Sequence, residues 1–281
     1  MHVTRHSDPD AFLAAAAPMA ARGPASASFF TGWAHAMKRT PPAAGERIYL
    51  ATVHDGATYG VAIRRDDGPV IIGQSDAAAA IAVADDLAQD GPGLQGVIGA
   101  LPAAEAFAQR WQQLTGRTRR LRVRLRQHAL VAVNDVPAAS GAPRTATEAD
   151  TDWLIERQYA FLAEVGLPDP PGRVREILPR RVLQGEFWIW DDGGAVAYAG
   201  YSDAAPDFAR VAPVYTPPEC RGRGYATSLV AQMSIALLAR GKRWLFLTTD
   251  IANPTSNAIY ARIGFCAEND DWHFDFVPPE P

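Results

Sequence analysis

The segment Arg-Gly-Arg-Gly-Tyr-Ala at positions 221–226 constrains this chain more than any other. It follows an apolar stretch, 208–216, that predicts a strand, and it leads into 225–240, whose apolar spacing predicts a long helix. The first N–H groups of a helix have no partner within it, and with the helix dipole they attract anions. Glycines let an anion approach the backbone, and arginines add planar donors. These residues favour a pyrophosphate loop, although a tight strand-to-helix turn with solvated arginines explains them equally well.

A second segment favours the pyrophosphate loop over the simple turn. Residues 253–265 read Asn-Pro-Thr-Ser-Asn-Ala-Ile-Tyr-Ala-Arg-Ile-Gly-Phe, and they predict a short helix with Asn253 as N-cap and Pro254 at its first position. The loop fits the pattern Gln/Arg-x-x-Gly-x-Gly/Ala and resembles the acyl-CoA loop of the GNAT superfamily of N-acetyltransferases. The second segment is similar to that family's second signature, and the two occur in the family's order. The resemblance covers roughly residues 144–276.

The resemblance implies an α/β (α+β) fold with a mixed, mostly antiparallel sheet flanked by helices. The N-terminal half predicts a similar order of strands, helix, strand, helix and strand, so we interpret the chain as tandem GNAT-like folds that arose by internal duplication. The small, Pro/Gly-rich stretch near the middle predicts a linker. We therefore expect a degenerate GNAT-like domain at 1–135, a linker at 136–143 and a catalytic domain at 144–281.

The resemblance also implies the site residues. The strand before the loop splays from its neighbour and offers backbone groups to the pantetheine arm, the loop amides hold the pyrophosphate, and Tyr260 occupies the position whose phenol protonates the departing thiolate. The cofactor-binding residues implied in this way are Val214, Tyr215, Thr216, Arg221, Gly222, Arg223, Gly224, Tyr225, Ala226 and Asn253. The co-substrate would be acetyl-CoA or another short acyl-CoA, attacked directly by an amine, with no metal.

The residue at the position of the general base differs from the family's pattern. Many members carry a carboxylate on the strand before the loop, whereas the matching position here is Arg210. Either a water chain reaches another carboxylate, or Arg210 binds an anionic group of the acceptor, or Arg210 has an ordinary surface role. The carboxylates considered are Glu164, Asp203 and Asp250, and Arg210 and Glu164 are the residues predicted to bind the acceptor. The acceptor pocket is expected from the loop 163–175 and the facing N-terminal half, and four aromatic residues either line it or belong to the core: Phe161, Phe187, Trp188 and Trp190.

The N-terminal half lacks the cofactor motif. The segment 72–78, Ile-Gly-Gln-Ser-Asp-Ala-Ala, precedes its predicted helix, and Asp76 at the N-cap would repel a phosphate. The helix 103–114 has no tyrosine in the acid position. Arginines and aliphatic residues alternate along 117–126, which predicts a solvated edge strand with Leu121, Val123 and Leu125 facing the core. An anion-binding stripe is the weaker interpretation.

Composition narrows the classes of function that remain. With 27 Lys+Arg against 31 Asp+Glu, the formal net charge is −4, which makes nucleic-acid binding a poor expectation. Cys220 and Cys266 form neither a disulfide framework nor a zinc motif, and no apolar run has the length of a membrane helix. We expect a cytoplasmic N-acetyltransferase with a small amine-bearing acceptor. A protein or peptide acceptor and a non-catalytic acyl-CoA-binding module are the alternatives, and the oligomeric state stays open.

Overall fold

Two compact units make up the chain in a computed structural model that describes residues 1–39, 41–42, 45–56, 58–66, 68–73, 75–167, 172–203 and 205–279. Unit 1 comprises Met1–His128, Thr248–Asn253 and Ala267–Pro281, and unit 2 comprises Ala129–Leu247 and Pro254–Cys266. The strands are β1 (Val3–Arg5), β2 (Ile48–Asp55), β3 (Thr58–Arg65), β4 (Val70–Ile72), β5 (Gly96–Gly99), β6 (Thr118–Leu130), β7 (Ala142–Thr145), β8 (Phe187–Asp191), β9 (Ala195–Ser202), β10 (Phe208–Tyr215), β11 (Trp244–Asp250) and β12 (Cys266–Val277). The helices are α1 (Pro9–Ala20), α2 (Pro24–Arg39), α3 (Ala77–Ala88), α4 (Ala103–Thr115), α5 (Thr151–Glu164), α6 (Arg173–Leu183), α7 (Tyr225–Ala239) and α8 (Pro254–Ile263).

Unit 1 has a mixed sheet between two layers of helices. Its strands lie in the order β1-β2-β3-β4-β5-β12-β6; β1 to β4 pair antiparallel in turn, and β4 pairs parallel with β5. Side chains alternate between the two faces of a strand. Leu50 and Ile63 therefore pack in one core with α1 and α2, whereas Ala51 and Ala62 pack in another with α3 and α4.

Unit 2 repeats this architecture. Its strands lie in the order β7-β8-β9-β10-β11, antiparallel up to β10, and β10 pairs parallel with β11 across the connection through α7. Tyr198 packs in a core with α5 and α6, and its neighbours Ala197 and Ala199 pack in the opposite core with α7 and α8. The predicted repetition of mixed, mostly antiparallel sheets flanked by helices is confirmed.

The last strand of the chain completes the sheet of unit 1. In β12, Trp272 pairs with Gly99 and Phe274 with Val97, both in β5. A Cβ on Gly96 would collide with the carbonyl oxygen of Phe274, so this close approach requires glycine. Phe276 lies 5.8 Å from the ring of Trp111. The contacts thus group Ala267–Pro281 with unit 1, although the sequence assigns 144–281 to one domain.

Two local expectations differ from the structure. The stripe 117–126 is not a solvated edge strand, because β6 lies beside β12 in the sheet of unit 1 and Arg124 O accepts a hydrogen bond from Ile251 N of the same unit. Its arginines meet carboxylates of β12, as Arg126 does with Asp270 at 2.7 Å, and Leu121 is 49% exposed rather than buried. The predicted linker 136–143 runs into a strand, since β7 begins at Ala142.

Candidate functional site

Two glycines shape the turn between β10 and α7. After β10, a short 3-10 turn covers Pro218–Cys220, and the chain then reaches Gly222 with φ 78° and Gly224 with φ 81°. Both values lie in the left-handed region that disfavours a side chain. Gly224 is the N-cap of α7, so the backbone turns into the helix through residues that only glycine adopts readily. The predicted strand–loop–helix arrangement at 221–226 is confirmed.

The start of α7 presents backbone donors. The first helical bond runs from Ser228 N to Gly224 O at 3.0 Å, and the helix has no acidic residue in its first turn and no side-chain cap. Over the described residues, the N–H groups from Gly222 to Thr227 donate no hydrogen bond within the chain. They lie at the positive end of the helix dipole, where an anion is stabilised.

The strand before this loop loses its neighbour partway along. β10 and β11 pair from Phe208 with Trp244 to Arg210 with Phe246, whereas β10 continues to Tyr215. On its other side β10 stays paired with β9, with a register shift between Val211 and Val214. The hydroxyl oxygen of Thr216, just beyond the strand, is buried and has no hydrogen-bond partner among the described residues. The end of β10 therefore combines a strand end that is not paired with β11 and a buried polar atom.

Arg221 holds the turn in shape. Its Nε donates to Thr216 O at 2.9 Å, one NH2 group donates to Glu164 Oε2 at 2.6 Å, and the guanidinium lies 5.7 Å from the ring centre of Tyr215. The hydrogen bond to Glu164 is the main reason that the pKa of Arg221 is raised. The structure therefore brings together Arg221 and Glu164, which the sequence assigned to cofactor and acceptor respectively.

Arg223 and Tyr225 complete the loop. Arg223 is exposed, and a hydrogen bond with Tyr225 raises its pKa. The Tyr225 ring is buried, and its hydroxyl donates to Asp192 Oδ2 at 2.5 Å. Ser140 donates to the same oxygen at 2.7 Å. Sequence reasoning missed Asp192 and Ser140, because the first read as a turn residue and the second as part of a linker.

Tyr260 lies on α8 and is only 9% exposed. Its ring packs edge-on against Phe265 at 5.8 Å and shares a hydrophobic core with Tyr225 and Leu229 of α7. Burial raises the pKa of the phenol, so the hydroxyl stays protonated at neutral pH. Asn253, directly before α8, is exposed, and its N–H donates to Asp250 O at 3.0 Å. By contacts it is grouped with unit 1.

The candidates for the general base are each engaged by other groups. Glu164 pairs with Arg221, Asp203 forms an ion pair with Lys242, and Asp250 Oδ1 accepts from Ala252 N at 2.8 Å. Arg210 is half-buried and is the last β10 residue that pairs with β11.

The aromatic residues considered for an acceptor pocket divide between core and surface. Phe187 and Trp190 are core residues, whereas Phe161 and Trp188 are half-buried. Phe161 packs edge-on against Tyr215 at 6.4 Å. The expected acceptor loop 163–175 is described only in part, since 168–171 lie outside the described residues.

The corresponding crossover in unit 1 is built differently. Asp76 is the N-cap of α3, as predicted, and its carboxylate accepts from Ala79 N at 2.8 Å and Tyr59 N at 3.0 Å. β4 ends at Ile72, and Gln74, which falls within the segment 72–78, lies outside the described residues. All three residues of β4 pair with β5, and the N-cap of α3 carries a carboxylate, so this crossover differs from that of unit 2 at its strand end and at its helix start.

Across the described ranges, no three His, Cys, Asp or Glu side chains are grouped so that they could hold a metal ion. None of the helices in that same part of the chain has the length and apolar character needed to span a bilayer. Cys220 and Cys266 are both unpaired thiols.

Comparison with solved structures identifies the fold of the chain. A GCN5-related N-acetyltransferase from Sphaerobacter thermophilus is 18% identical with a TM-score of 0.65, covering 100% of this chain and 96% of that one. A GNAT-family acetyltransferase from Colwellia psychrerythraea is 12% identical with a TM-score of 0.57, covering 98% and 100%. A tandem GNAT protein from the clavulanic acid biosynthesis pathway is 16% identical with a TM-score of 0.57, covering 100% and 99%.

These identities establish likeness of fold alone, and no curated protein sequence matches the chain. The family model of the Acetyltransferase (GNAT) family, however, matches residues 151–265. That segment contains the β10–α7 loop and α8. Residues 151–265 therefore match a GNAT acetyltransferase domain, and the solved structures extend the likeness of fold to the rest of the chain.

Proposed function

We propose that this protein is an acyl-CoA-dependent N-acyltransferase that transfers an acetyl group from acetyl-CoA to an amine. The observation that carries the proposal is the start of α7, where two glycines with positive φ precede a run of N–H groups that donate to nothing within the described chain. The donors fit a pyrophosphate, and the buried, unpartnered Thr216 hydroxyl fits a polar ligand at the end of β10.

Each site residue would act on a different part of the co-substrate. The N–H groups from Gly222 to Ala226 would hold the pyrophosphate, with Arg223 beside them, and Val214 to Thr216 would bind the pantetheine arm through their backbone. Arg221 would act through the turn that it braces, and Asn253 would lie near the pantetheine or the thioester. A backbone N–H of the splayed strand would stabilise the negative charge that develops on the thioester oxygen.

Acyl transfer then needs two proton movements. The acceptor nitrogen bonds to the carbonyl carbon and loses a proton, and the carbon–sulfur bond breaks, so the sulfur leaves with the bonding electrons and takes up a proton. Tyr260 would be the proton donor to the sulfur. Because burial raises the pKa of its phenol, the hydroxyl is protonated at neutral pH, and we expect it to give its proton through a strong hydrogen bond as the carbon–sulfur bond breaks and to regain a proton from solvent.

The acceptor is defined only by class. We propose a small amine, which loses its proton either to a carboxylate through a water chain or to solvent. Arg210 would bind an anionic group of that acceptor, in which case Arg210→Ala raises the KM of an anionic acceptor and Arg210→Lys restores it in part. Unchanged KM values in both variants would exclude this role. Unit 1 is proposed to lack acyl-CoA binding, and the protein is proposed to be cytoplasmic.

One observation favours a second candidate function, a non-catalytic acyl-CoA-binding module. Arg210 stands where many family members have a carboxylate, and the three alternative carboxylates are already engaged. A protein or peptide acceptor remains a further enzyme alternative, for which nothing in the described residues gives specific support.

Thiol release separates these functions. The protein is mixed with acetyl-CoA and pools of small amines, amino acids and peptides with free N-termini, and free CoA is measured with a thiol reagent. We expect release that depends on one pool and that falls in Tyr260→Phe. Binding of CoA without release in any pool would favour the binding module, and the absence of CoA binding would overturn the proposal.

A further inference from the structure

A single carboxylate oxygen connects three segments of unit 2 at the start of α7. Asp192 lies in the turn between β8 and β9, and its Oδ2 accepts from the Tyr225 hydroxyl at 2.5 Å and from Ser140 Oγ at 2.7 Å. No family motif includes Asp192, and the sequence suggests only a turn. Two donors on one oxygen hold the carboxylate in one orientation, since charge-assisted hydrogen bonds of this length are the strong ones.

Tyr225 is well placed to transmit that constraint. It is the first residue of α7, and its ring is buried in the hydrophobic core with Leu229 and Trp190. Packing holds the ring, and the bond to Asp192 selects the orientation of the residue about the helix axis. The N–H groups on either side of Tyr225 are the ones that donate to nothing within the described chain. A residue that orients Tyr225 therefore orients those donors.

The partner Ser140 is itself fixed. Trp190 Nε1 donates to Ser140 O at 2.6 Å, and Ala139 N donates to Ser228 Oγ at 2.8 Å in the first turn of α7. The segment that the sequence assigns to a linker thus bonds directly to the first turn of α7 through Ala139, and to Asp192 through Ser140. These hydrogen bonds, in addition to the glycine loop, hold the start of α7 in place.

The negative charge of Asp192 is compensated by the groups around it. A carboxylate beside an anion site would weaken anion binding, but Asp192 accepts two hydrogen bonds and lies in the field of Arg223. The hydrogen bond from Tyr225 is the first reason that the pKa of Asp192 is lowered, followed by that from Ser140. Asp192 therefore stays ionised and bonded at neutral pH.

We propose that Asp192 is a positioning residue for acyl-CoA, holding Tyr225 so that the N–H groups from Gly222 to Thr227 converge on the pyrophosphate. This inference rests on the proposed function. It assigns Asp192 to affinity for the co-substrate and not to the acyl-transfer step, because its carboxylate is bonded to the helix start and to Ser140.

The test is calorimetric titration of the full chain with CoA. We expect Tyr225→Phe and Asp192→Ala each to weaken the Kd about tenfold, and Asp192→Asn, which keeps an acceptor oxygen, only about threefold. The double variant Asp192→Ala/Tyr225→Phe should be no weaker than about tenfold, since both changes remove one interaction. Tyr201→Phe is the matched control, because Tyr201 is buried in the same core, and its Kd should stay within twofold of the unchanged protein.

Kinetics separate positioning from general loss of structure. With acetyl-CoA, the KM should rise about tenfold in Tyr225→Phe while kcat stays within twofold, and Tyr201→Phe should change neither. Equal Kd values in Tyr225→Phe and in Tyr201→Phe, or multiplying effects in the double variant, would overturn the role of Asp192. Failure of the unchanged protein to bind CoA would instead overturn the proposed function and this inference together.

Discussion

The same strand–helix–strand crossover occurs in both units, with opposite chemistry at the start of its helix. In unit 1, Asp76 caps α3 with its own carboxylate, and all three residues of β4 pair with β5. In unit 2, Gly224 leaves the start of α7 without a side-chain cap, and β10 pairs with β11 only from Phe208 to Arg210. The comparison teaches that the fold supplies the helix dipole in both units, and under the proposed function the cap and the strand end decide whether acyl-CoA can use it.

The largest expected effect comes from giving α7 the cap of α3. Gly224→Asp places a carboxylate where the pyrophosphate would bind and forces a side chain into a φ of 81°, so we expect the Kd for CoA to weaken at least about 100-fold. Gly224→Asn has nearly the same size, lacks the charge and tolerates this φ better, so it should cost about fivefold. Calorimetry measures both. Equal losses in the two variants would mean that charge at the cap is not what distinguishes the units.

The next effect concerns the tyrosine that α8 has and α4 lacks. Tyr260→Phe keeps the buried ring and removes the hydroxyl, so we expect kcat with acetyl-CoA to fall about 30-fold, as suits the loss of one strong hydrogen bond to the leaving sulfur. The KM for acetyl-CoA should stay within twofold in steady-state assays. Tyr201→Phe again serves as the control. An unchanged kcat would remove Tyr260 from the reaction.

A smaller effect is expected from the cap of unit 1. Asp76→Ala removes the acceptor for Ala79 N and Tyr59 N, so the free energy of unfolding should fall by about 1 to 2 kcal/mol in urea titrations. The Kd for CoA should not change, because α3 is not the phosphate site. A gain of a second CoA site in Asp76→Ala would show that the cap alone had closed it.

The smallest expected effect is a flat pH profile. Burial raises the pKa of Tyr260 above its ordinary value of 10.0, so the phenol keeps its proton and its contribution is lost only as the pH rises through that raised pKa. The kcat of the unchanged protein and that of Tyr260→Phe should therefore have the same shape between pH 7 and about 10. A fall below pH 10 that disappears in Tyr260→Phe would contradict the buried, protonated phenol.

Local sequence signals predicted the helices and the site loop well. The predicted helices 225–240 and 103–114 each differ by one residue from α7 and α4, and the loop at 221–226 lies between strand and helix as expected. Glycine, proline and helical periodicity act over a few residues, so they can be read locally. The loop shows that two motifs at the expected spacing predict the local structure better than either motif alone.

Non-local pairing could not be read in the same way. Nothing in 267–277 indicates that β12 pairs with β5 in unit 1, because strand partners are chosen by the whole sheet. The stripe on β6 predicted an edge for the same reason, although the carboxylates of β12 meet its arginines. Asp192 was missed because its hydrogen-bond partners, Tyr225 and Ser140, are 33 and 52 positions away in the sequence.

The most direct measurement is the number of CoA molecules bound per chain. Calorimetric titration of the full chain should give a stoichiometry of about one, and Gly224→Asp should abolish that site while Asp76→Ala leaves it at one. Binding of two equivalents, or one equivalent that survives Gly224→Asp, would contradict the claim that only the crossover of unit 2 holds acyl-CoA.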